Sequence, residues 1–443
     1  MSEKTTHPYT WREYQKRLHR SARLRSALGR FPLYGFYGGG AFILLVFFFF
    51  VGSWIIDGLE HIAQRSPKKV ITSKVEPRQL GKKELQRMLV NRHIPPSPGT
   101  HTFSWRGREL TVETALDAQL QEYINWLLAR SKTHMAAVVV LRPDNGQVLA
   151  MADYRSSGEV KGKNLTLEAD FPAASLFKIV SAAAAVEGRG FTPEKPLFYW
   201  GRKHTLYKKQ LKQKKTRYTQ DVTFKRAFSG SINPVFGKIG IYDLGKELME
   251  EYADRFLFNH KIPFELAVDM SLIQVPEDSF GLAEISSGFN KDTLISPFHA
   301  ALITAGVANG GVIMEPWFVN RVTDAAGDVV YQTRPAALGS PIGKDTAKIL
   351  RILMEDTVLY GTGRKTFRAL TRKKAFKGIA LGAKTGTIND RMDQYKYDWI
   401  TIFAIPGSRE KGISLAVLAV HGEKLGIRAK DIGRLILLRH FRP

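Results

Sequence analysis

Cysteine is absent from the 443 residues of this sequence. Its absence excludes disulfides, iron–sulfur clusters, thiolate zinc sites and a cysteine nucleophile. The 11 histidines show no HExxH or similar ligand spacing, so we expect no metal and no cofactor. Acidic residues are scarce as well, since 41 Asp and Glu face 66 Lys and Arg and leave a formal net charge of +25. Such an excess favours an anionic partner.

Charged residues are also missing from residues 33–56, a largely apolar run of 24. A helix crosses the bilayer core with about 20 apolar residues, and no small-residue cleavage site of a signal peptide is evident. The run therefore predicts a retained transmembrane helix, and its Gly35 and Gly39 form the GxxxG spacing typical of a helix partner in the membrane. Residues 1–32 hold eight Lys and Arg against two acids, which predicts a cytoplasmic tail and a long domain beyond the membrane.

Residues 57–110 are polar and interrupted by proline and glycine, which predicts a linker or a small irregular pedestal. After it, "TALDAQLQEYINWLLARS" has helical periodicity, and "MAAVVVLR" and "QVLAMADY" are typical of paired strands. Near the C-terminus, "GIALGAKTGT", "WITIFAIPG" and "ISLAVLAVHG" predict three more strands, and "AKDIGRLILLRHF" predicts a closing helix. Residues 174–355 are mostly helical by pattern. We expect one antiparallel sheet built from both ends, an inserted helical part, and a cleft where the two meet.

A serine followed by a lysine three residues later occurs three times, which by itself carries little information. Ser66–Lys69 lies in the predicted linker, and Ser408–Lys411 lies in a predicted hairpin turn. Only Ser175–Lys178 opens an apolar helix, "AASLFKIVSAAAAVEG". A lysine is disfavoured at a helix N-terminus, because the positive end of the helix dipole lies there. Its placement indicates a lysine whose charge is unstable, as a base requires.

Two further motifs occur once each, a Ser-x-Asn and a Lys-Thr-Gly with a threonine after it: Ser231 and Asn233, and Lys384, Thr385, Gly386 and Thr387. The first residues of the three motifs are 56 and 153 residues apart. Each motif alone has an ordinary structural explanation, since Asn233-Pro234 suits a helix N-terminus and Thr385-Gly386 suits a strand bulge. Their order and their settings, a helix start, a loop entering a helix and a strand, together indicate a functional set.

Ser-x-x-Lys, Ser-x-Asn and Lys-Thr-Gly in this order are the signature of penicillin-binding proteins and serine β-lactamases. The stretches that resemble a penicillin-binding protein transpeptidase domain are "LRPDNGQVLAMA", "VTFKRAFSGSINPVF", "ISPFHAALITAGVANGG", "YGTGR" and "KTGT…DW". The resemblance implies an α+β fold, with a five-stranded antiparallel sheet flanked by helices and an inserted all-helical subdomain. Together with the composition of the N-terminal part, it predicts a basic cytoplasmic tail (1–32), a transmembrane helix (33–56), a linker or small pedestal (57–110) and a transpeptidase domain (111–443). The expected location is the bacterial cytoplasmic (inner) membrane, with the catalytic domain periplasmic or extracellular.

The resemblance implies a catalytic role for four motif residues. Ser175 is the nucleophile, and Lys178, three residues later on the same helix face, takes its proton. Burial and the charge of Lys384 are expected to lower the pKa of Lys178. Ser231 relays a proton to the leaving amine, and Asn233 holds Lys178 and the substrate backbone.

The Lys-Thr-Gly strand supplies the substrate-binding side by the same resemblance. Lys384, Thr385 and Thr387 bind the terminal carboxylate of a D-Ala-D-Ala peptide, and Gly386 belongs to the same binding strand. The backbone N–H groups of Ser175 and Thr387 form the oxyanion hole.

The resemblance implies a short, monofunctional, membrane-anchored D,D-transpeptidase that cross-links peptidoglycan through a serine acyl-enzyme. Its expected partners are stem peptides, β-lactams and the cytoplasmic membrane, and nucleic acid is not among them. A D,D-carboxypeptidase and a non-catalytic β-lactam sensor or scaffold are alternatives, whereas a serine β-lactamase is disfavoured because no Glu-x-x-Leu-Asn deacylation motif is present. Two stretches depart from the family pattern: its "WF-x-G" reads Trp399-Ile400-Thr401-Ile402, and residues 202–226 hold ten Lys and Arg with one Asp.

Overall fold

A computed structural model describes residues 79–91, 97–156, 164–407 and 412–442 of the chain. In these ranges, no helix has the length and apolar character needed to cross a membrane. The segments that lie outside the described residues include the predicted tail 1–32, the predicted transmembrane helix 33–56 with Gly35 and Gly39, and the serine and lysine of Ser66–Lys69 and Ser408–Lys411.

The α-helices of the described chain are α1 (Lys82–Asn91), α2 (Ala118–Ala129), α3 (Lys178–Arg189), α4 (Phe224–Ser229), α5 (Asn233–Lys238), α6 (Gly245–Arg255), α7 (Ser279–Ser287), α8 (Pro297–Ala308), α9 (Lys344–Leu359), α10 (Arg364–Phe367) and α11 (Ala429–His440). The strands are β1 (Thr100–Trp105), β2 (Arg108–Thr114), β3 (Met135–Leu141), β4 (Val148–Arg155), β5 (Phe171–Pro172), β6 (Pro196–Tyr199), β7 (Gln220–Thr223), β8 (Leu294–Ile295), β9 (Ile313–Met314), β10 (Val319–Asp324), β11 (Val329–Gln332), β12 (Ala337–Gly339), β13 (Ala380–Asn389), β14 (Lys396–Ile405) and β15 (Ile413–His421).

The central sheet has five antiparallel strands in the order β13-β14-β15-β3-β4. They come from the two ends of residues 111–443, as the sequence predicted. Successive residues of β3 point to opposite faces, so Val139 packs in one core while Val138 and Val140 pack in the other. Because helices cover both faces, the strand is a continuous apolar run. The register of β14 is unbroken from Lys396 to Ala404, so the absence of the family's glycine does not interrupt the strand.

Helices cover the two faces of this sheet. On one face α8 packs against β3, β14 and β15, and on the other α2 packs against β4 while α11 packs against β14 and β15. Behind α8, α3 packs against α6 and α9, and its residues Ala182–Ala185 are fully buried. Small side chains let the neighbouring helices approach α3 closely. The turn that carries Ser175 directly precedes the N-terminus of α3.

The described residues between 79 and 110 have more regular structure than the linker or small irregular pedestal that the sequence predicted. They contain α1, β1 and part of β2, and the β1–β2 hairpin turns at Arg106 and Gly107, whose φ values are +50° and +76°. Positive φ at both central residues is characteristic of a type I′ turn. β2 also pairs with β10 in a sheet of order β1-β2-β10-β11. The predicted boundary at residues 110 and 111 therefore falls inside β2. The pairing of β2 with β10 could not be predicted, because β10 is far away in sequence and the contact leaves no local pattern.

The inserted region is not entirely helical, contrary to expectation. Short strands lie among its helices: β6 pairs with β7, β9 pairs with β12, and β8 pairs with β5, which immediately precedes the region. Three of these strands, β5, β8 and β9, have only two residues each. Such strands are too short for the alternating apolar pattern by which a strand is recognised.

Removal of the residues before 111 is expected to destabilise the domain strongly. Leu85, Met88 and Leu89 of α1 and Leu110 of β2 are buried, at 2% exposure or less. Loss of each such side chain costs about 2–5 kcal/mol, and a typical domain has only about 5–15 kcal/mol of stability. A chain that starts at residue 111 should melt at least about 10 °C below one that starts at residue 79, measured by circular dichroism. Equal melting temperatures would instead support the boundary at 110 and 111.

Candidate active site

The segment that leads to the first motif is held in place by tertiary contacts. Trp399 of β14 donates its Nε1–H to Pro172 O at 3.0 Å. Two residues later, Ala174 has a φ of +48°. This left-handed conformation costs an alanine about 1–3 kcal/mol and persists only where the surroundings impose it. Packing, and not local preference, therefore sets the backbone in front of Ser175.

Ser175 lies in a 3-10 turn, Ala174–Phe177, and α3 begins at Lys178. The sequence predicted that Ser175 would open the α-helix itself, so the tighter turn is a correction of detail. Side chains three residues apart on a helix lie on the same face. Ser175 Oγ and Lys178 Nζ are accordingly 2.8 Å apart.

Oxygen atoms surround the amine of Lys178, whose side chain is fully buried. Its Nζ lies 2.8 Å from Ser175 Oγ and 2.8 Å from Asn233 Oδ1, and Ser287 O is its third partner. The amide and carbonyl oxygens can only accept, so they take two N–H groups. A neutral amine has two N–H groups and one lone pair, and that lone pair is left for the hydroxyl proton of Ser175.

The surroundings of Lys178 favour this neutral form. Burial lowers the pKa of Lys178 well below its ordinary value, and the charge of Lys384 lowers it further. The sequence predicted both causes, and burial is the larger. The site thus holds a base next to a hydroxyl, which is the arrangement that activates a serine nucleophile.

Gly288 ends α7 and brings the carbonyl of Ser287 to the amine. Its φ is +62°, and a Cβ added at this position would lie 1.9 Å from Ala174 O. Neither the backbone conformation nor the available space admits a side chain. A glycine here is therefore what allows α7 to pack against the turn that carries Ser175.

The Ser-x-Asn loop forms another wall of the site. Ser231 has a φ of +52°, and Asn233 begins α5. The amide of Asn233 donates from Nδ2 to His204 O at 3.2 Å, which turns Oδ1 toward Lys178. His204 in turn donates from Nδ1 to Ser231 O at 3.3 Å, because a carbonyl can only accept. The basic segment 202–226 thus contributes to the wall of the site.

β13, an edge strand of the central sheet, passes beside the nucleophile. A Cβ added at Gly386 would lie 3.3 Å from Ala174 Cβ and 3.4 Å from Ser175 N. The strand therefore runs close to the backbone N–H of Ser175, and Thr387 follows directly. The hydroxyl groups of this strand are fixed as well, since Thr385 Oγ1 lies 2.6 Å from Thr362 Oγ1.

Lys384 is turned away from the cleft and toward the Ser-x-Asn loop. Its side chain is fully buried, and Nζ donates to Ser231 Oγ and to Thr385 O, both at 2.9 Å. Burial lowers the pKa of Lys384 to about 7. The lysine is therefore poised to exchange a proton with Ser231.

The cleft next to Ser175 has a volume of about 330 Å³. The predicted residues that line it are Ser175, Ser231, Thr385, Gly386 and Thr387. The other three, Lys178, Asn233 and Lys384, are buried. Lys178 contacts Ser175 and Lys384 contacts Ser231, whereas Asn233 contacts Lys178. Within the described ranges, no cluster of His, Asp and Glu has the makings of a metal site.

Six further residues line the cleft, and sequence reasoning assigned none of them to the site: His204, Thr362, Asp398, Trp399, Arg428 and Lys430. The stretches "YGTGR" and "DW" do contain three of them, so the resemblance marked their neighbourhood. His204, Arg428 and Lys430 belong to no motif, and only the tertiary fold brings them to the cleft. Together the site presents a serine with a buried base, a second hydroxyl with a proton source, and nearby backbone donors, which suits acyl transfer.

Comparison with known families matches residues 136–431 to the penicillin binding protein transpeptidase domain. The chain is 26% identical over 306 residues to Stage V sporulation protein D of Bacillus subtilis, which covers 67% of this chain and 45% of that protein. It is also 26% identical over 371 residues to the peptidoglycan D,D-transpeptidase PbpA of Mycobacterium tuberculosis, which covers 74% of this chain and 71% of the relative. The chain thus spans less than half the length of the first of these two relatives.

Solved structures show the same fold at lower sequence identity. The D,D-transpeptidase domain of a peptidoglycan glycosyltransferase from Eggerthella lenta has a TM-score of 0.61 at 22% identity, with 74% of this chain and 81% of that chain covered. Penicillin-binding protein A of M. tuberculosis, solved as an imipenem acyl-enzyme complex, has a TM-score of 0.60 at 22% identity, with 75% and 79% covered. Because the family match spans the central sheet, the helical insertion and all three motifs, this chain belongs to the penicillin-binding protein transpeptidase family.

Proposed function

We propose that this protein is a peptidoglycan D,D-transpeptidase that forms an acyl-enzyme on Ser175 from a D-Ala-D-Ala stem peptide, and that β-lactams acylate the same oxygen. The observation that carries this proposal is the buried amine of Lys178, 2.8 Å from Ser175 Oγ. Its two N–H groups are taken by fixed acceptors, so its lone pair is directed at a single hydroxyl. That is the condition for a serine to act as a nucleophile at neutral pH.

In the acylation step, Lys178 Nζ takes the hydroxyl proton of Ser175 as Oγ attacks the carbonyl carbon of the penultimate D-Ala. The new C–O bond forms while the carbonyl electrons move onto oxygen. The N–H groups of Ser175 and Thr387 stabilise this oxyanion. The close passage of Gly386 beside Ser175 N supports their shared role.

Breakdown of this intermediate breaks the peptide bond, and the leaving amine of D-Ala needs a proton. Ser231 is suited to deliver it, because its oxygen accepts a hydrogen bond from Lys384 Nζ and its own O–H stays free to donate. Lys384 then restores the proton to Ser231. When the amine of a second stem peptide attacks the ester, its proton returns by the same route and Ser175 regains its own proton from Lys178. A β-lactam follows only the first half, since its leaving nitrogen stays tethered to the acyl group.

The relatives support this proposal through their own properties. PbpA of M. tuberculosis is named a peptidoglycan D,D-transpeptidase. Penicillin-binding protein A of that organism was solved as acyl-enzyme complexes with ceftriaxone, imipenem and penicillin G. The shared family and the order of the motifs favour the same chemistry in this chain.

Treatment of the wild-type protein with penicillin should add one penicilloyl group to the peptide that contains Ser175, located by mass spectrometry. Ser175→Ala should abolish the adduct, because it removes the attacking oxygen and no other atom of the turn. Ser66→Ala and Ser408→Ala are matched controls, since each removes the serine of another Ser-x-x-Lys. Both controls should label like the wild type.

Labelling that survives Ser175→Ala would contradict the assignment of the nucleophile. A folded wild-type protein that never labels would favour the sensor or scaffold alternative. Product analysis with a D-Ala-D-Ala peptide and an amine acceptor separates the two enzymatic alternatives, because a transpeptidase forms a new amide whereas a carboxypeptidase releases the hydrolysed peptide.

The rate of acylation should depend on pH through Lys178. Because burial holds the pKa of Lys178 well below its ordinary value, acylation should fall as the pH drops through that pKa and the lone pair is protonated. Lys178→Arg keeps the charge at every pH and should slow acylation by about 10²–10⁴-fold. The measurement is the second-order rate of penicillin acylation in buffers from acidic to neutral. An unchanged acidic limb in Lys178→Arg would show that another group titrates.

Gly288→Ala should slow acylation by more than about tenfold, because its Cβ would displace the carbonyl of Ala174 and a misplaced catalytic group is costly in rate. Gly190→Ala is the matched control. Gly190 ends α3 with a similar φ of +64° and has no atom within 4 Å of the added Cβ. Both variants should lose stability, but only Gly288→Ala should lose acylation rate. Equal rates in the two variants would mean that Gly288 supports the fold alone.

A further inference from the structure

The charges that face the cleft are not those of the two motif lysines. Lys178 and Lys384 are both fully buried, and Lys384 directs its N–H groups at Ser231 Oγ and Thr385 O. Its pKa of about 7 means that its charge is incomplete at neutral pH. The side chains of Arg428 and Lys430, by contrast, line the cleft together with Thr385 and Thr387. A carboxylate in the cleft would therefore meet a guanidinium before it met Lys384.

The guanidinium of Arg428 is held in a fixed position by Asp398. Arg428 Nε donates to Asp398 Oδ2 at 2.6 Å, and Nη2 donates to Oδ1 at 3.0 Å. Asp398 pairs with Thr387 across β14 and β13, and it also accepts from Thr387 Oγ1 at 3.3 Å. Arg428 is thus held by a residue of β14, the strand next to the substrate-binding strand β13.

Asp398 is saturated by its donors and stays ionised. It is 4% exposed and also accepts from Ala429 N at 3.0 Å. Burial raises the pKa of Asp398, but the nearby ring of His421, with Nε2 3.7 Å from Oδ2, and the hydrogen bonds and charge of Arg428 outweigh burial and hold the pKa well below its usual range. α11 also packs on β14 and β15 through apolar side chains, so its docking does not depend on Arg428 alone.

Arg428 keeps donors for a ligand. Two of its five N–H groups bind Asp398, and among the described residues the other three have no hydrogen-bond partner. About a third of the side chain remains exposed. A guanidinium stays charged at any physiological pH and matches the two oxygens of a carboxylate. Lys430 adds a second positive charge at the same cleft, so the cleft stays positive although Asp398 offsets Arg428.

We propose that Arg428, positioned by Asp398, binds the C-terminal carboxylate of the donor peptide together with the hydroxyl of Thr385. This inference rests on the proposed function, because it concerns the substrate of the Ser175 reaction. In D-Ala-D-Ala the carboxylate carbon lies within about 4 Å of the attacked carbonyl carbon, since only three bonds separate them. Recognition of the carboxylate therefore places the scissile bond at Ser175. Lys384 is left to supply the proton to Ser231.

The test compares one substrate with and without its carboxylate. The probes are penicillin G and its methyl ester, and the measurement is the second-order rate of acylation of each by the full chain. Wild-type protein should prefer the acid. Arg428→Gln should lower the rate for the acid by about tenfold to a hundredfold, as expected for a lost charged hydrogen bond, and should leave the rate for the ester nearly unchanged. The ratio of the two rates should therefore approach one.

Arg142→Gln is the matched control, since Arg142 makes the same two-bond pair with Asp144, at 3.1 and 2.6 Å, and does not line the cleft. Its ratio should equal that of the wild type. Arg428→Lys keeps the charge without the planar fork and should fall between the wild type and Arg428→Gln. Because Arg428→Lys keeps the positive charge, it remains informative if Arg428→Gln fails to fold. Circular dichroism of each variant shows whether it is folded.

The following results would contradict the proposed role of Arg428 or the proposed function. If Arg428→Gln slows acid and ester equally, or changes neither, Arg428 does not bind the carboxylate. If the ratio collapses in Lys384→Ala but not in Arg428→Gln, the carboxylate is read by Lys384 and the inference is wrong. If wild-type protein is acylated by neither probe, the proposed function fails, and that result is distinct from an unchanged ratio in a protein that does react.

Discussion

The burial of the Lys178 amine is the constraint on which the rest of the site depends. An ammonium is costly to remove from water, so burial drives a lysine toward its neutral form. A neutral amine still needs partners for its two N–H groups, and these are an amide oxygen at the start of α5 and a carbonyl oxygen at the end of α7. Three separate parts of the chain must therefore converge before Ser175 has a base.

This convergence accounts for the unusual backbone on both sides of the cleft. Ala174 and Ser231 both have positive φ values, which non-glycine residues rarely adopt. Each residue precedes or carries a hydroxyl of the site, and packing holds each of them there. Gly288 shows how the constraint acts, since its missing side chain leaves room for the carbonyl of Ala174. The hydroxyls are consequently in place before any substrate arrives, which is the value of preorganisation in acyl transfer.

The cations of the site divide into two kinds with different surroundings. Lys178 and Lys384 are buried, and burial lowers the pKa of both. Groups that transfer protons need a charge that can change. Arg428 is a guanidinium, so it stays charged at any physiological pH. Its side chain is partly exposed, and its bonds to the buried carboxylate of Asp398 fix its orientation. A permanent charge is suited to binding an anion and not to transferring a proton. For this reason we assign the C-terminal carboxylate of the substrate to Arg428 and the proton transfers to the two lysines.

The sequence by itself determined the central sheet and the residues of the three motifs. β3 and β15 are mostly apolar runs of seven and nine residues. Their short length and their valines favour buried strands over buried helices. The motifs could be read because they depend on residue type at short spacing, as between Ser175 and Lys178. Tertiary structure alone decided that β2 pairs with β10, that a backbone carbonyl completes the partners of Lys178, and that Arg428 reaches the cleft. The reason is physical: a backbone oxygen has no signature in residue type, and a contact between residues far apart in sequence leaves no local period.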